Sequence, residues 1–170
     1  MGAEHTSVPR WAPELPAADP AARAVALVGF GPAAARVVAG WRAQVGAGTE
    51  VWSRLAERAD DAALAALAEQ LRAARVGWRL MLAGPEADVL AARAVAVEHG
   101  ALDAEVRTAV TGAALKRVFC AHCRTTTERD VPVAAEVECA GCRRQLHVYA
   151  HVSRRRGAYL GFMADAEEVA

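Results

Sequence analysis

The chain reads as an α/β protein: a small parallel sheet with helices, followed by a four-cysteine module of the zinc-ribbon or rubredoxin-like kind. Three observations predict this. Short apolar runs ending in glycine turns alternate with alanine-rich helical stretches from residue 24 to residue 100, the order that lays strands in parallel with helices as crossovers. All 4 cysteines fall into two CxxC pairs, Cys120 with Cys123 and Cys139 with Cys142, a spacing that offers four thiolates to one ion. At 170 residues and 54% hydrophobic composition, much of it alanine and only 5% aromatic, the chain suits one compact domain or a smaller one with an appended module.

Pro9, Pro13, Pro16 and Pro20 break up residues 1–22, an irregular arm that packs on a surface or stays mobile. Ala24–Val28 is an apolar run closed by Gly29-Phe30-Gly31-Pro32, which reads as a buried strand and its turn. Pro32 suits a first helical turn, and Ala33–Val45 carries apolar residues at helical spacing around Arg36 and Arg42. Thr49–Ser53 has the composition of a second strand, although Trp52 fits a helix equally well. Asp60 and Asp61 introduce a helix over Ala62–Arg75, whose acidic start and basic end match the helix dipole, and Gly77 stops it. Trp78–Leu82 is a strand finishing at Ala83-Gly84-Pro85, and Glu86–His99 is a helix closed by Gly100. Asp103–Val110 fits helix or strand. These elements make one domain over residues 23–115.

Beyond it, residues 116–170 form the metal module. Val131, Val133 and Val137, between the cysteine pairs, indicate short strands. Leu146–Val152 alternates strictly, so Leu146, Val148, Ala150 and Val152 share one face while His147, Tyr149 and His151 line the other. That second face suits a partner, a further metal or an ordinary half-exposed strand. Arg154-Arg155-Arg156-Gly157 is a basic turn able to clamp a carboxylate or phosphate. Tyr159, Leu160, Phe162 and Met163 either return to the core or form a contact patch. Arg154, Arg155, Arg156, Tyr159 and Phe162 are therefore the candidate partner-contact residues.

The four cysteines admit a disulfide pair, a redox dithiol or one metal site; two pairs with none left over favour the metal. Zinc is the expected ion, with a rubredoxin-like iron or an iron-sulfur cluster as alternatives that would make the chain an electron carrier. Rubredoxin knuckles usually place glycine after the second cysteine, where this chain has Arg124 and Arg143, which favours zinc and leaves iron open. His122, inside the first knuckle, is placed as an exposed turn residue.

Twenty basic residues balance 20 acidic ones, removing any global argument for nucleic acid or membrane binding. Locally, residues 116–156 hold nine Lys or Arg against four Asp or Glu, an excess that suits an acidic protein, an anionic cofactor, a nucleic acid or plain solvent. No charge-free stretch approaches the about 20 residues needed to cross a bilayer, and the start lacks a secretory pattern, so a cytoplasmic location is expected. Met1–Thr6 fits a loose myristoylation pattern that nothing else supports.

Gly29, Gly31 and Ala34 have GxGxxA spacing after a strand, with Glu50 about twenty residues on, where a ribose-binding carboxylate is expected in dinucleotide sites. Pro32 removes one N–H that an anion would use. These four are the candidate cofactor residues, and NADP binding by this chain is not expected. No catalytic residue is assigned.

Leu80 to Glu86 and the alanine-rich helix ending at His99-Gly100 resemble the last part of the pyridine-nucleotide domain of ferredoxin reductase-like flavoenzymes, with Ala83 where that family has a cysteine. The resemblance covers about a third of the chain and implies a reductase-like scaffold used for docking. Cys120-x-x-Cys123, Cys139-x-x-Cys142, His147-Val148-Tyr149, Ser153-Arg154-Arg155, Gly157-Ala158-Tyr159 and Gly161-Phe162-Met163-Ala164-Asp165 together resemble the small A subunit of bacterial dimethylamine monooxygenase, over roughly residues 77–168. That resemblance implies an accessory subunit of a cytoplasmic oxygenase that uses NADPH and oxygen to demethylate dimethylamine. A haem subunit and a flavin/iron-sulfur reductase subunit would supply the main redox centres. A stand-alone zinc-ribbon adaptor or nucleic-acid binder is the alternative of a different class.

Overall fold

A computed structural model describes residues 7–164; Met1–Thr6, with the myristoylation pattern, and Asp165 lie outside the described residues. The elements are β1 (Ala24–Phe30), α1 (Pro32–Gln44), β2 (Glu50–Ala56), α2 (Asp61–Ala73), β3 (Trp78–Pro85), α3 (Glu86–Glu98), β4 (Val106–Gly112), β5 (Leu115–Cys120), β6 (Thr126–Asp130), β7 (Glu136–Glu138), β8 (Gln145–Ser153) and β9 (Ala158–Met163). No helix among the described residues is long and apolar enough to cross a membrane.

Sheet A has the order β2-β1-β3-β4, parallel throughout. Its two central strands are apolar on both faces because helices cover both. On one side Val25, Leu27, Met81 and Ala83 pack with Ala34, Val38 and Trp41 of α1. On the other, Ala26, Val28, Phe30, Leu80 and Leu82 meet Leu67 and Leu71 of α2 and Val89 and Ala92 of α3. Asp60 caps α2, its carboxylate accepting from the Ala63 N–H at 2.8 Å. The second strand exists and runs on to Ala56. The ambiguous stretch after Leu102 resolves into a short 3-10 turn, Asp103–Glu105, and then β4.

Sheet B has the order β6-β5-β9-β8-β7. β9 pairs in parallel with β5 and antiparallel with β8, while β6 and β7 form the antiparallel edges. Its strands differ from the expectation between the knuckles. Val131 and Val133 lie between β6 and β7 rather than in a strand, half-buried against the core of sheet B. β6 itself is Thr126–Asp130, a polar edge whose pairing with β5 requires no apolar run.

The two sheets share one junction. Leu90 of α3 lies in the core cluster of sheet B with Val118, Leu146, Val148 and Tyr159. A Cβ on Gly157, whose φ is 55°, would sit 2.2 Å from the Leu90 carbonyl oxygen, so only glycine lets the β8–β9 turn meet α3 this closely. The described part of the amino-terminal arm, residues 7–22, packs against both sheets. The Ser7 hydroxyl accepts from the Val152 N–H at 2.7 Å, Trp41 Nε1 donates to the Pro16 carbonyl at 2.7 Å, and Asp19 pairs with Arg79 at 2.8 Å.

Candidate metal centre

Each knuckle is a tight turn closed by the same two backbone bonds. In the first, the Cys120 N–H donates to the Thr125 carbonyl and the Arg124 N–H to the Cys120 carbonyl, both at 2.9 Å. In the second, the Cys139 N–H donates to the Arg144 carbonyl at 2.9 Å and the Arg143 N–H to the Cys139 carbonyl at 3.0 Å. Arg124 and Arg143 stand in the left-handed region, at φ 65° and 64°. The glycine-like backbone of a thiolate knuckle is thus present without the glycine, so the residue type after the second cysteine does not separate zinc from iron here.

The turns converge. All four sulfurs lie within 4.8 Å of one another, with Cys120–Cys142 at 3.8 Å and Cys123–Cys139 at 3.5 Å. A tetrahedral ion with metal–sulfur bonds of about 2.3 Å sets sulfur–sulfur edges of about 3.8 Å, so the donor set fits zinc or a single iron. None of the four is in a disulfide. Cys120 and Cys139 are buried, while Cys123 and Cys142 are half-buried.

Neighbouring groups set the sulfurs apart. Hydrogen bonds from the Thr125 side chain and backbone draw the Cys123 thiol down to about 6. Burial opposes ionisation of Cys139, but the Cys142 and Gly141 N–H groups outweigh it and lower that thiol too. At Cys142 a bond from the Arg144 N–H favours the thiolate, yet burial and the three other sulfurs push the thiol up to about 11. Four thiolates this close therefore ionise together only with a cation among them. Gly141 is required for the approach, since a Cβ there would lie 2.4 Å from Thr125 Oγ1 and 3.0 Å from Cys123 Sγ. His122 is exposed on its turn.

The candidate cofactor residues do not assemble. Gly31 has φ 74°, but its N–H already donates to the Ala56 carbonyl at 2.9 Å, and the Ala34 N–H donates back to Gly31 at 3.2 Å. With Pro32 lacking an N–H, few donors remain for a phosphate. Gly29 serves packing: a Cβ there would lie 2.7 Å from Leu55 Cδ2 and 2.9 Å from Val38 Cγ2. Glu50 pairs with Ala24, at the opposite end of the sheet from Gly31, about 20 Å away at strand rise. The carboxylate at the glycine end is Glu57, which shares an open hollow of about 360 Å³ with Gly31, Pro32, Ala35 and Leu55.

The contact residues divide as well. Tyr159 is 1% exposed, so it belongs to the core and not to the surface. Arg154 is paired with Asp103 at 2.5 Å, and the Arg156 guanidinium lies over the Phe119 ring at 4.6 Å. Arg155 is exposed, and Phe162 is 43% exposed. Phe162 forms an outer aromatic cluster with His147 at 5.5 Å and Tyr149 at 5.6 Å, Tyr149 stacking in turn on His151 at 6.3 Å.

One buried site had no signal in the sequence. Glu86, 1% exposed, accepts from Tyr159 OH at 2.8 Å, Lys116 Nζ at 2.5 Å and Trp11 Nε1 at 3.2 Å. Burial and the adjacent carboxylate push the Tyr159 phenol well above its usual range, which keeps it a donor. Its members come from the arm, α3, β5 and β9, so no local pattern brings them together.

Fold and site define an α/β protein with a four-cysteine, two-knuckle β module compatible with metal binding. Residues 117–162 match the family described as "Dimethylamine monooxygenase subunit DmmA-like, C-terminal domain", so that segment is similar to the carboxy-terminal domain of DmmA-like subunits. It is 39% identical over 102 residues to the "Heme-dependent oxidative N-demethylase delta subunit" of Ectopseudomonas mendocina (strain ymp), a match covering 60% of this chain and 57% of the relative. The chain thus spans little more than half the length of that curated relative. No solved structure matches it.

Proposed function

We propose that the chain is an accessory, metal-binding subunit of a multisubunit oxidative N-demethylase of the dimethylamine monooxygenase type, working in the cytoplasm. One observation carries the reading: the segment matched to the family, residues 117–162, contains the four sulfurs that converge within 4.8 Å. Cys120, Cys123, Cys139 and Cys142 hold the ion, with zinc the ion proposed. A bound zinc would pin the two knuckles and supply folding free energy, not oxygen chemistry. The partners would be a haem oxygenase subunit and a flavin/iron-sulfur reductase subunit. The outer cluster of His147, Tyr149 and Phe162 would contribute to contacts with them, beside Arg155.

A second reading fits the same geometry, because the left-handed backbone at Arg124 and Arg143 suits an iron knuckle as well as a zinc one. Bound iron would make the module a one-electron carrier between the same partners. Elemental analysis and a visible spectrum of the purified chain decide between the two. One zinc and no colour is the expected result; dithionite-bleached absorption with one iron supports the carrier. Co-expression with the other subunits tests the assembly, and a chain that never co-purifies with them overturns both readings.

A further inference from the structure

In an open parallel sheet, ligands bind outside the carboxyl ends of the strands, where the chain switches from one side of the first strand to the other. Here that point lies between β1 and β3, whose carboxyl ends are Phe30 and Pro85. On its β3 side it is closed, and the open hollow beside Gly31 and Glu57 lies toward β2. Gly84, at φ 150°, presses against Phe30, and a Cβ would lie 2.9 Å from Phe30 Cβ and 3.0 Å from its carbonyl oxygen. Glu86, the next residue but one, begins α3 and turns its carboxylate to Lys116 on β5 and Tyr159 on β9, both from sheet B. Lys116 Nζ also lies 5.5 Å from the Tyr159 ring centroid and donates to the Ala113 carbonyl.

We propose that the ligand crevice of the α/β domain is a socket for the chain's own four-cysteine module, with Glu86 the residue through which the folded state of the metal knuckles reaches α3 and the arm. The physical path is short. Cys120 is the last residue of β5, whose second residue is Lys116. β5 is paired to β9 through only Val118–Tyr159, Phe119–Leu160 and Cys120–Gly161. A metal at Cys120 pins this register, and with it the two donors from sheet B to Glu86. Losing that register leaves a carboxylate buried with Trp11 as its remaining side-chain donor, which is costly enough to loosen the first turns of α3.

The metal-dependent half of this inference rests on the metal-binding reading above; the socket itself does not. Hydrogen exchange on the full chain, with metal content measured in parallel, separates them. Stripping the metal with a chelator is expected to speed exchange by about tenfold or more in residues 86–90 and in the arm around Trp11, reversibly on reloading. Unchanged protection there, with the knuckles exchanging freely, overturns the coupling. Tyr159→Phe removes one donor without opening a large cavity. It is expected to speed exchange at the start of α3 about tenfold while leaving the metal content at its wild-type value; wild-type protection in that variant, and in Lys116→Met, overturns the socket. A chain that carries no metal as purified counts against the metal reading, and Tyr159→Phe then decides the socket alone. Saturable binding of NADPH that alters exchange at Glu86 also overturns it.

Discussion

Sheet A is buried on both faces, by α1 on one side and α2 with α3 on the other, whereas sheet B is buried on one face and leaves Tyr149 and Phe162 about half in solvent on the other. The buried cluster of sheet B holds nine residues, of which Cys120 and Cys139 are candidate ligands and Leu90 belongs to α3. What remains, with Val8, Trp11, Val131 and Val133 packed against it, is a smaller apolar core than that of sheet A. The difference teaches where each half draws its stability. The α/β layer draws on apolar burial; the β module draws less on it, and it adds a contact with α3 through Leu90 and four sulfurs placed where an ion could join them.

Cysteine substitution is the severest way to break this contrast. Cys139→Ser removes one of four ligands, about a quarter of an apparent binding free energy of about 10–16 kcal/mol. Metal affinity should fall about a hundredfold or more, with loss of module amides from the folded NMR spectrum while sheet A signals persist. Leu67→Ala sharpens the other half. Leu67 is fully buried beneath α2, so denaturant melts should show a loss of about 2–5 kcal/mol with the metal still bound.

Smaller effects probe the knuckles and the junction. Arg124→Gly removes a side chain from a left-handed backbone, and should stabilise the metal-loaded chain by about 0.5–1 kcal/mol in a thermal melt. Asp103 gives the least. The Arg93 hydrogen bond, with charge from Arg93 and Arg154 also helping, holds its carboxyl below the ordinary 3.8 against a small burial penalty. A lowered carboxylate contributes stability above its unfolded value and loses it as pH falls through the folded one. Wild type should therefore exceed Asp103→Asn in melting temperature at neutral pH, with the gap closing as pH falls below the ordinary carboxylate value of 3.8 and shrinking in salt.

Legibility followed the range of the interactions. β1, β3 and the three helices were plain because an apolar run, a glycine turn and, at α2, a capping aspartate are local signals, each written within a few residues. The convergence of the four sulfurs was equally plain, since CxxC spacing encodes the turn that brings each pair together. Glu50 was misplaced because a count of twenty residues does not say at which end of β2 a residue falls. The choice between core and contact patch for Tyr159 and Phe162 is not decided by sequence, because a six-residue strand of mixed burial, with Tyr159 inside and Phe162 outside, looks uniformly apolar when read alone. The Glu86 cluster was invisible for a stronger reason: its partners lie 30, 73 and 75 positions away along the chain.

The central position of β9 in sheet B has a consequence for how the molecule is made. β5 and β8 have no direct pairing and meet only through β9, so the ribosome must deliver residues 158–163 before the first cysteine pair can be registered against the second. The α/β layer, complete by Gly112, is free to fold during translation and to wait as a template. Nascent chains thus carry two unpaired thiol turns while the 21 residues from Cys142 to Met163 are added, a window in which the cell's metal supply and its reducing power both act on the newborn protein.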